Sequence, residues 1–137
     1  MTAAGLAVAD ASAVVAALGQ VDEFGDWAAS VLSSRRLLAP RLMPFEAAGA
    51  LRRLQLQGRL NALHATAAHT ELLELAIDTW PHRPLAYRAW ELRDAIAYTD
   101  ACYVALAEIL DVPLVTLDRR LARAPGPRCA FLTPPGA

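Results

Sequence analysis

Four carboxylates stand where the chain could do chemistry: Asp10 at the end of "LAVAD", Glu46 in "LMPFEAAGALRRL", Asp100 in "AYTDACYVALAEIL", and Asp118 at the end of "PLVTLD". Brought together in a partly desolvated site, their mutual repulsion would raise their pKa values or demand a counter-charge. The chain has no Lys, and its His and Cys residues are poorly placed to help. A hard, oxygen-loving dication is then the natural counter-charge, and Mg²⁺, with Mn²⁺ as a substitute, suits a site of few carboxylates and many waters better than zinc. Each acid also has a plainer reading. Asp10 before "ASAVV" and Asp118 before "RRLAR" are good helix N-caps, and Thr99 can cap a helix whose first turn welcomes the charge of Asp100.

The elements around these acids decide between the readings. "GLAVAD" reads as a short strand ending near Asp10, followed by a small-residue helix that Gly19 can close, and "VDEFGDWAASVLSS" continues as an amphipathic helix. A second strand is expected at Leu37 to Ala39, and then a helix from about Pro44 to Gly58. "LNALHATAAHTELLELAIDTW" reads as one helix ended by Trp80 and Pro81, and "AYRAWELRDAIAYTDACYVALAEILDV" as helix in two pieces meeting near Tyr98 and Thr99. "PLVTLD" is a strand, "RRLARAPG" a turn or two of helix, and "RCAFLT" a last strand.

Short apolar strands alternating with helices, without Asn-Gly or Asp-Gly hairpin turns, predict a helix-rich α/β fold with a buried parallel sheet. Ligands of such folds bind at the carboxyl ends of the strands, the edge toward which Asp10 and Asp118 point. The helix "ACYVALAEIL" is apolar round most of its circumference, so it should be buried with Asp100 at its inner end. Glu46 opens the helix after the second strand and comes to the same edge.

Composition narrows the choice further. A chain of 137 residues, 55% hydrophobic and 20% charged, suits one soluble domain spanning 1–137. Its formal net charge of −1 argues against bulk electrostatic capture of nucleic acid, although a local Arg patch would be hidden by the total. All 13 basic residues are Arg, which excludes a P-loop nucleotide site and Schiff-base chemistry. Cys102 and Cys129 lack metal spacing and read as buried thiols. No apolar run reaches membrane length, and the first residues lack a positively charged leader, so a cytoplasmic location is expected.

Other charged and aromatic residues carry two readings each. Asp94 lies six positions before Asp100, and its orientation depends on where the helix breaks. Arg52, Arg53, Arg88, Arg93, Arg119 and Arg120 either pair locally or meet a phosphate, for which the Arg fork is suited. His64, His69 and His82 read as surface or packing residues. Trp27, Trp80 and Trp90 read as core or partner-surface anchors.

"VADASAVVAAL", "PRLMPFEAAGALRRL", "LRDAIAYTDACYVALAE" and "PLVTLDRRLAR" resemble the acid-bearing motifs of PIN-domain ribonucleases, most closely the VapC toxins of bacterial VapBC toxin–antitoxin pairs. The resemblance runs from about Leu6 to Arg123. It implies a PIN-like α/β/α sandwich with a short central parallel sheet. It matches Asp10, Glu46, Asp100 and Asp118 to the family's acidic quartet, and Ser12 and Thr116 to polar positions beside it. Two positions depart: Thr99 stands where Tyr is common, and Ala95 where Asn is common after "LRD".

The implied activity is Mg²⁺-dependent hydrolysis of RNA, of the tRNA or rRNA class, leaving a 5′-phosphate and a 3′-hydroxyl. A homodimer and an inhibiting VapB-type antitoxin are implied as partners, and Arg52, Arg93 and Arg119 are candidates for RNA contact. Two rivals come from other classes. A small-phosphate phosphohydrolase of the haloacid dehalogenase kind would want an Asp where this chain has Ser12, and a Lys. A non-catalytic partner-binding module would use the acids only as caps.

Overall fold

The structure, a computed structural model, describes residues 5–136. The first four residues, on which the expectation of no charged leader partly rests, and Ala137 lie outside the described residues. The elements run β1 (Leu6–Ala9), α1 (Ala11–Gly19), α2 (Glu23–Ser33), β2 (Arg36–Pro40), α3 (Met43–Leu56), α4 (Ala62–Glu74), β3 (Ile77–Trp80), α5 (Arg83–Glu91), α6 (Tyr98–Leu110), β4 (Leu114–Val115), α7 (Arg119–Arg123) and β5 (Phe131–Leu132).

The five strands form one parallel sheet in the order β3-β2-β1-β4-β5. From β1 the chain steps outward through β2 to β3, then crosses back to β4 and β5. The order therefore reverses between β1 and β4, and open parallel sheets bind ligands beside the carboxyl ends at such a reversal. Ala7, Val8 and Ala9 of β1 are all fully buried. Successive strand residues point to opposite faces, so both faces of the sheet are covered. One covering element is α6, which packs on β1, β2 and β4 and carries α5 on its outer side; α1 to α4 pack on one another as a second helical group.

Polar residues start several helices, as expected. Asp10 caps α1, Asp22 caps α2, Asn61 caps α4 and Asp118 caps α7, each accepting from a backbone N–H of the first turn. Two expectations need correction. "IDTW" is not the end of a helix but the edge strand β3, paired with β2 from Leu37↔Ile77 to Pro40↔Trp80. Thr99 does not cap α6: the helix begins after Ala97 with no side-chain cap bond, because a turn over residues 92–97 delivers the chain with Ala95 and Ile96 N–H groups donating to the Leu92 carbonyl.

α6 is buried along Ala101 to Ala107 and ends on Asp111 in the left-handed conformation, φ 53°. Its first polar side chain after the buried run, Glu108, fastens three segments. It accepts from Arg88 Nε at 2.7 Å and from the Arg128 N–H at 2.7 Å, while Arg88 also donates to the Gly126 carbonyl at 2.9 Å. Burial pushes the Glu108 carboxyl up, but the Arg88 guanidinium and the Arg128 N–H outweigh it and hold the group below the usual range. Glu108→Ala is expected to cost about 2 kcal/mol in urea unfolding at neutral pH, since the half-buried Arg88 then keeps only Glu91 and the Gly126 carbonyl. The Glu108 contribution is present above about pH 4.3 and fades as pH falls through its lowered value, so the variant and parent should converge in acid.

Candidate active site

The topology brings the four predicted acids to one edge. Asp10 follows β1 directly, and Asp118 follows β4, the neighbouring strand. Glu46 lies in the first turn of α3, just after β2 on the other side of β1, and Asp100 lies in the first turn of α6. Three adjacent strands and one buried helix thus aim their acids at the place where the strand order reverses.

Two hydroxyls lock the loops that carry Asp10 and Asp118. Ser12 Oγ donates to Asp10 Oδ1 at 2.6 Å and accepts from the Leu117 N–H at 3.1 Å. Thr116 is fully buried, its Oγ1 accepts from the Asp118 N–H at 3.0 Å, and it lies 3.4 Å from Ser12 Oγ. The loop after β1 and the loop after β4 are therefore stitched together. Asp10 and Asp118 also keep their capping roles, with Ala13 N–H on Asp10 at 3.0 Å and Arg120 N–H on Asp118 at 2.9 Å. Capping and site chemistry are compatible, because a carboxylate holding an N-cap with one oxygen still faces outward from the helix start.

The electrostatics show that these groups feel one another. Burial, reinforced by Asp10, Asp118 and Glu46, pushes the Asp100 carboxyl up to about 6. Asp10 is also raised, first by burial and partly by Asp118, while bonds from Ser12, Thr116 and Ala13 act against the rise. Among the described residues the ion pairs are Arg36–Asp78, Arg88–Glu91 and Arg88–Glu108, so none of the four acids has an Arg partner. The negative charge is concentrated and uncompensated.

Among the described residues no three His, Cys, Asp or Glu side chains are arranged to hold a metal ion directly. The donor set nevertheless fits a hydrated dication. All four groups offer hard oxygen, and Mg²⁺ typically takes one or two carboxylates and keeps several waters. A closed cage of protein ligands is not what such an ion needs.

One residue of the site had not been singled out from sequence. Tyr103, one turn beyond Asp100, is buried and donates its hydroxyl to Glu46 Oε1 at 2.6 Å. Burial, then this bond and the nearby acids, hold its own proton on firmly. The signal was present: a Tyr in an otherwise apolar buried helix must find a partner for its hydroxyl. Tyr103→Phe should lower stability by about 1 kcal/mol, read by urea titration.

The remaining candidates are dispersed. Asp94 is exposed in the turn before α6 and joins no ion pair among the described residues. Arg52 faces α4, in a cleft with Gln55, Thr66 and His69. Arg93 lies over the Trp90 ring at 4.6 Å and donates to the Trp90 carbonyl at 2.8 Å. Arg119 turns toward the C-terminal segment, donating to the Pro134 carbonyl at 2.7 Å and to those of Pro135 and Gly136. Arg120, by contrast, lines an open cleft of about 250 Å³ together with Asp100, Asp118 and Ala97. His82 is bonded to the Tyr98 hydroxyl at 2.6 Å, beside an apolar cleft lined by Pro40, Leu85 and Cys102.

Residues 7–127 match the PIN domain family. The chain is 42% identical over 123 residues to Ribonuclease VapC1 of Mycobacterium tuberculosis, covering 85% of this chain and 92% of that protein. Among solved structures it resembles PAE2754 from Pyrobaculum aerophilum, with a TM-score of 0.67 at 25% identity, covering 95% of this chain and 85% of that one. It shares its fold with VapBC2 from Rickettsia felis, solved bound to a DNA fragment from the promoter, with a TM-score of 0.64 at 11% identity and coverage of 93% and 98%.

Proposed function

As this chain belongs to the PIN-domain family, we propose that it is a Mg²⁺-dependent endoribonuclease, the toxin of a VapBC-type pair. The observation that carries this reading is the uncompensated quartet of Asp10, Glu46, Asp100 and Asp118 at the reversal point of a parallel sheet. The ribonuclease activity of the similar Mycobacterium tuberculosis protein supports the substrate class.

Asp10, Asp100 and Asp118 would hold the ion, with Glu46 reached through water. When bound, such an ion supplies a water of lowered pKa and shields the charge on the scissile phosphate. The chain's own residues do the rest. Ser12 and Thr116 keep Asp10 and Asp118 in fixed relation, so little reorganisation is needed as substrate arrives. Tyr103 occupies Glu46 Oε1, which leaves Oε2 to take the proton of an attacking water. Attack at phosphorus breaks the bond to O3′, giving a 5′-phosphate on one fragment and, once O3′ is protonated from solvent, a 3′-hydroxyl on the other. Arg120 at the mouth of the cleft is placed to meet a phosphate oxygen.

A phosphohydrolase of the haloacid dehalogenase kind fits poorly, because Ser12 is committed to Asp10 and Leu117 and no Lys exists in the chain. For partners, a VapB-type antitoxin is supported by the likeness to the Rickettsia felis VapBC2 structure. Pairing of two copies is supported by Tyr87 and Trp90, which stand 80% and 60% exposed one turn apart on α5. No helix among the described residues is long and apolar enough to cross a membrane.

The test is incubation of a total cellular RNA pool, with tRNA and ribosomes present, in Mg²⁺ or in chelator, followed by end-group mapping. Discrete cuts bearing 5′-phosphates, absent in chelator, are expected. Cuts that persist in chelator, or that leave cyclic phosphates, would overturn the reading.

A further inference from the structure

Helix α3 leads away from the acids along a line that the ribonuclease chemistry above does not use. Glu46 lies in its first turn, and Ala50, Arg53 and Gln57 follow at i+4, i+7 and i+11, so the four share one side of the helix. Facing this line, α1 contributes Ser12 and Val15, and the loop after β4 contributes Leu117. Arg59 joins from the far end: the chain turns at Gly58, whose φ of +73° suits glycine, and the Arg59 N–H donates to the Leu54 carbonyl at 2.9 Å. The result is an open groove of about 350 Å³.

The inner end of the groove is already part of the acid site. Ser12 lines it, and the same Ser12 hydroxyl holds Asp10 at 2.6 Å and accepts from Leu117 N–H at 3.1 Å. The groove therefore ends at a side chain bonded to Asp10. Its cations face solvent, and Arg59 also lies near Asp22, whose carboxyl is held below the usual range by the Gln20 amide, by the Gly25 and Phe24 N–H groups and last by Arg59. Arg53 and Arg59 are exposed, and neither pairs with a carboxylate among the described residues. Arg53 reaches back toward the acids: its Nη1 lies 3.7 Å from where a side chain on Gly49, one turn nearer Glu46, would begin.

Charge complementarity names the occupant. Four clustered carboxylates repel a phosphodiester, so a nucleic-acid strand needs cations beside the site to be held there. Arg forks match phosphate oxygens, and Gln57 adds a neutral donor. Among the described residues no aromatic side chain lines the groove, so it offers no stacking platform. A protein helix would want an exposed apolar stripe, whereas the exposed wall here is Arg53, Gln57 and Arg59.

We propose that the groove between α1 and α3, with Arg53 and Arg59 as its cations, seats the phosphodiester backbone of the RNA strand next to the scissile phosphate. The proposal rests on the ribonuclease reading, and the two residues act as positioning residues.

The measurement is binding of a fluorescein-labelled single-stranded RNA, in chelator, to the full chain carrying Asp100→Asn so that nothing is cut. Arg53→Gln and Arg59→Gln are each added to that background and followed across a salt series. Each is expected to weaken binding about 5- to 10-fold at low salt, and to reduce the slope of log K against log salt by about 0.7, the value for one lost phosphate contact on a single strand. Arg53→Lys should restore most of the slope, which a packing role would not. In the active chain the loss should fall on KM rather than kcat, with the same cut sites. Slopes equal to the parent in folded variants, shown by unchanged Tm, would overturn the proposal. So would unchanged RNA binding with lost inhibition by the antitoxin, which would make the groove a protein interface. An Arg-dependent slope in a wild-type chain that cuts no RNA in Mg²⁺ would support the groove as a nucleic-acid site and overturn the ribonuclease reading instead.

Discussion

Replacing Asp100 by Asn is expected to remove RNA cleavage, by about 10³-fold or more, while making the metal-free protein more stable. The two effects have one cause. Asp100 is pushed up to about 6 by burial and by three neighbouring acids, against about 3.9 in an unfolded chain. Folding therefore favours its protonated form. Below about pH 4 the group is neutral in both states and contributes nothing to the pH dependence. Between about pH 4 and 6 the unfolded chain has lost the proton and the folded one keeps it, so stability falls as pH rises, and above about 6 it stays reduced. Because Asp100 is only half buried, solvent screening leaves a penalty on the order of 1 kcal/mol. Asn keeps the shape and removes the charge. Urea unfolding in chelator at pH 7.5 and at pH 4 should show the variant ahead at the higher pH and level with the parent at the lower. A variant that is inactive but less stable at pH 7.5 would mean that Asp100 serves the fold, and that its loss from the site is a side effect.

The helix-rich α/β fold with its parallel sheet, and the position of the four acids at one sheet edge, were both legible in the sequence; some of the elements between were not. The acids were legible because each follows a strand or opens a buried helix, and a parallel sheet sends all its carboxyl ends to one edge. β1 and β2 were legible as apolar runs bounded by Asp10 and Pro40. β3 was not: as an edge strand its residues are only half buried or exposed, so "IDTW" carries no core pattern, and what makes it a strand is pairing with β2, some forty positions away. The start of α6 near Tyr98 was legible but its cap was not: Thr99 is a good cap by type, whereas the preceding turn starts the helix at Tyr98 with no side-chain cap and leaves Asp100 in its first turn. Arg52 and Arg53 show the same limit on a smaller scale. They are neighbours in sequence but about 100° apart round α3, so one faces α4 and the other the acid-site groove. Which is which depends on how α3 packs against α1, and no local pattern encodes that.

Mn²⁺ added to the metal-free protein should raise its Tm by roughly 8 °C at a hundredfold excess over Kd, since such an excess stabilises the folded state by about 2.7 kcal/mol and a chain of this size shifts by about 3 °C per kcal/mol. The useful comparison is with Asp10→Asn and Asp118→Asn. Both acids cap helices, accepting from Ala13 N–H and from Arg120 and Leu121 N–H, and alanine would confound loss of the cap with loss of the ligand. Asn caps about as well as Asp but brings no charge to a dication. If the acids hold the ion, each Asn variant should melt at or above the metal-free parent and show little further rise with Mn²⁺. If the acids are only caps, the Asn variants and the parent should respond to Mn²⁺ identically. The quartet would then have its charge to no purpose, and a partner's Arg would be the remaining candidate to neutralise it.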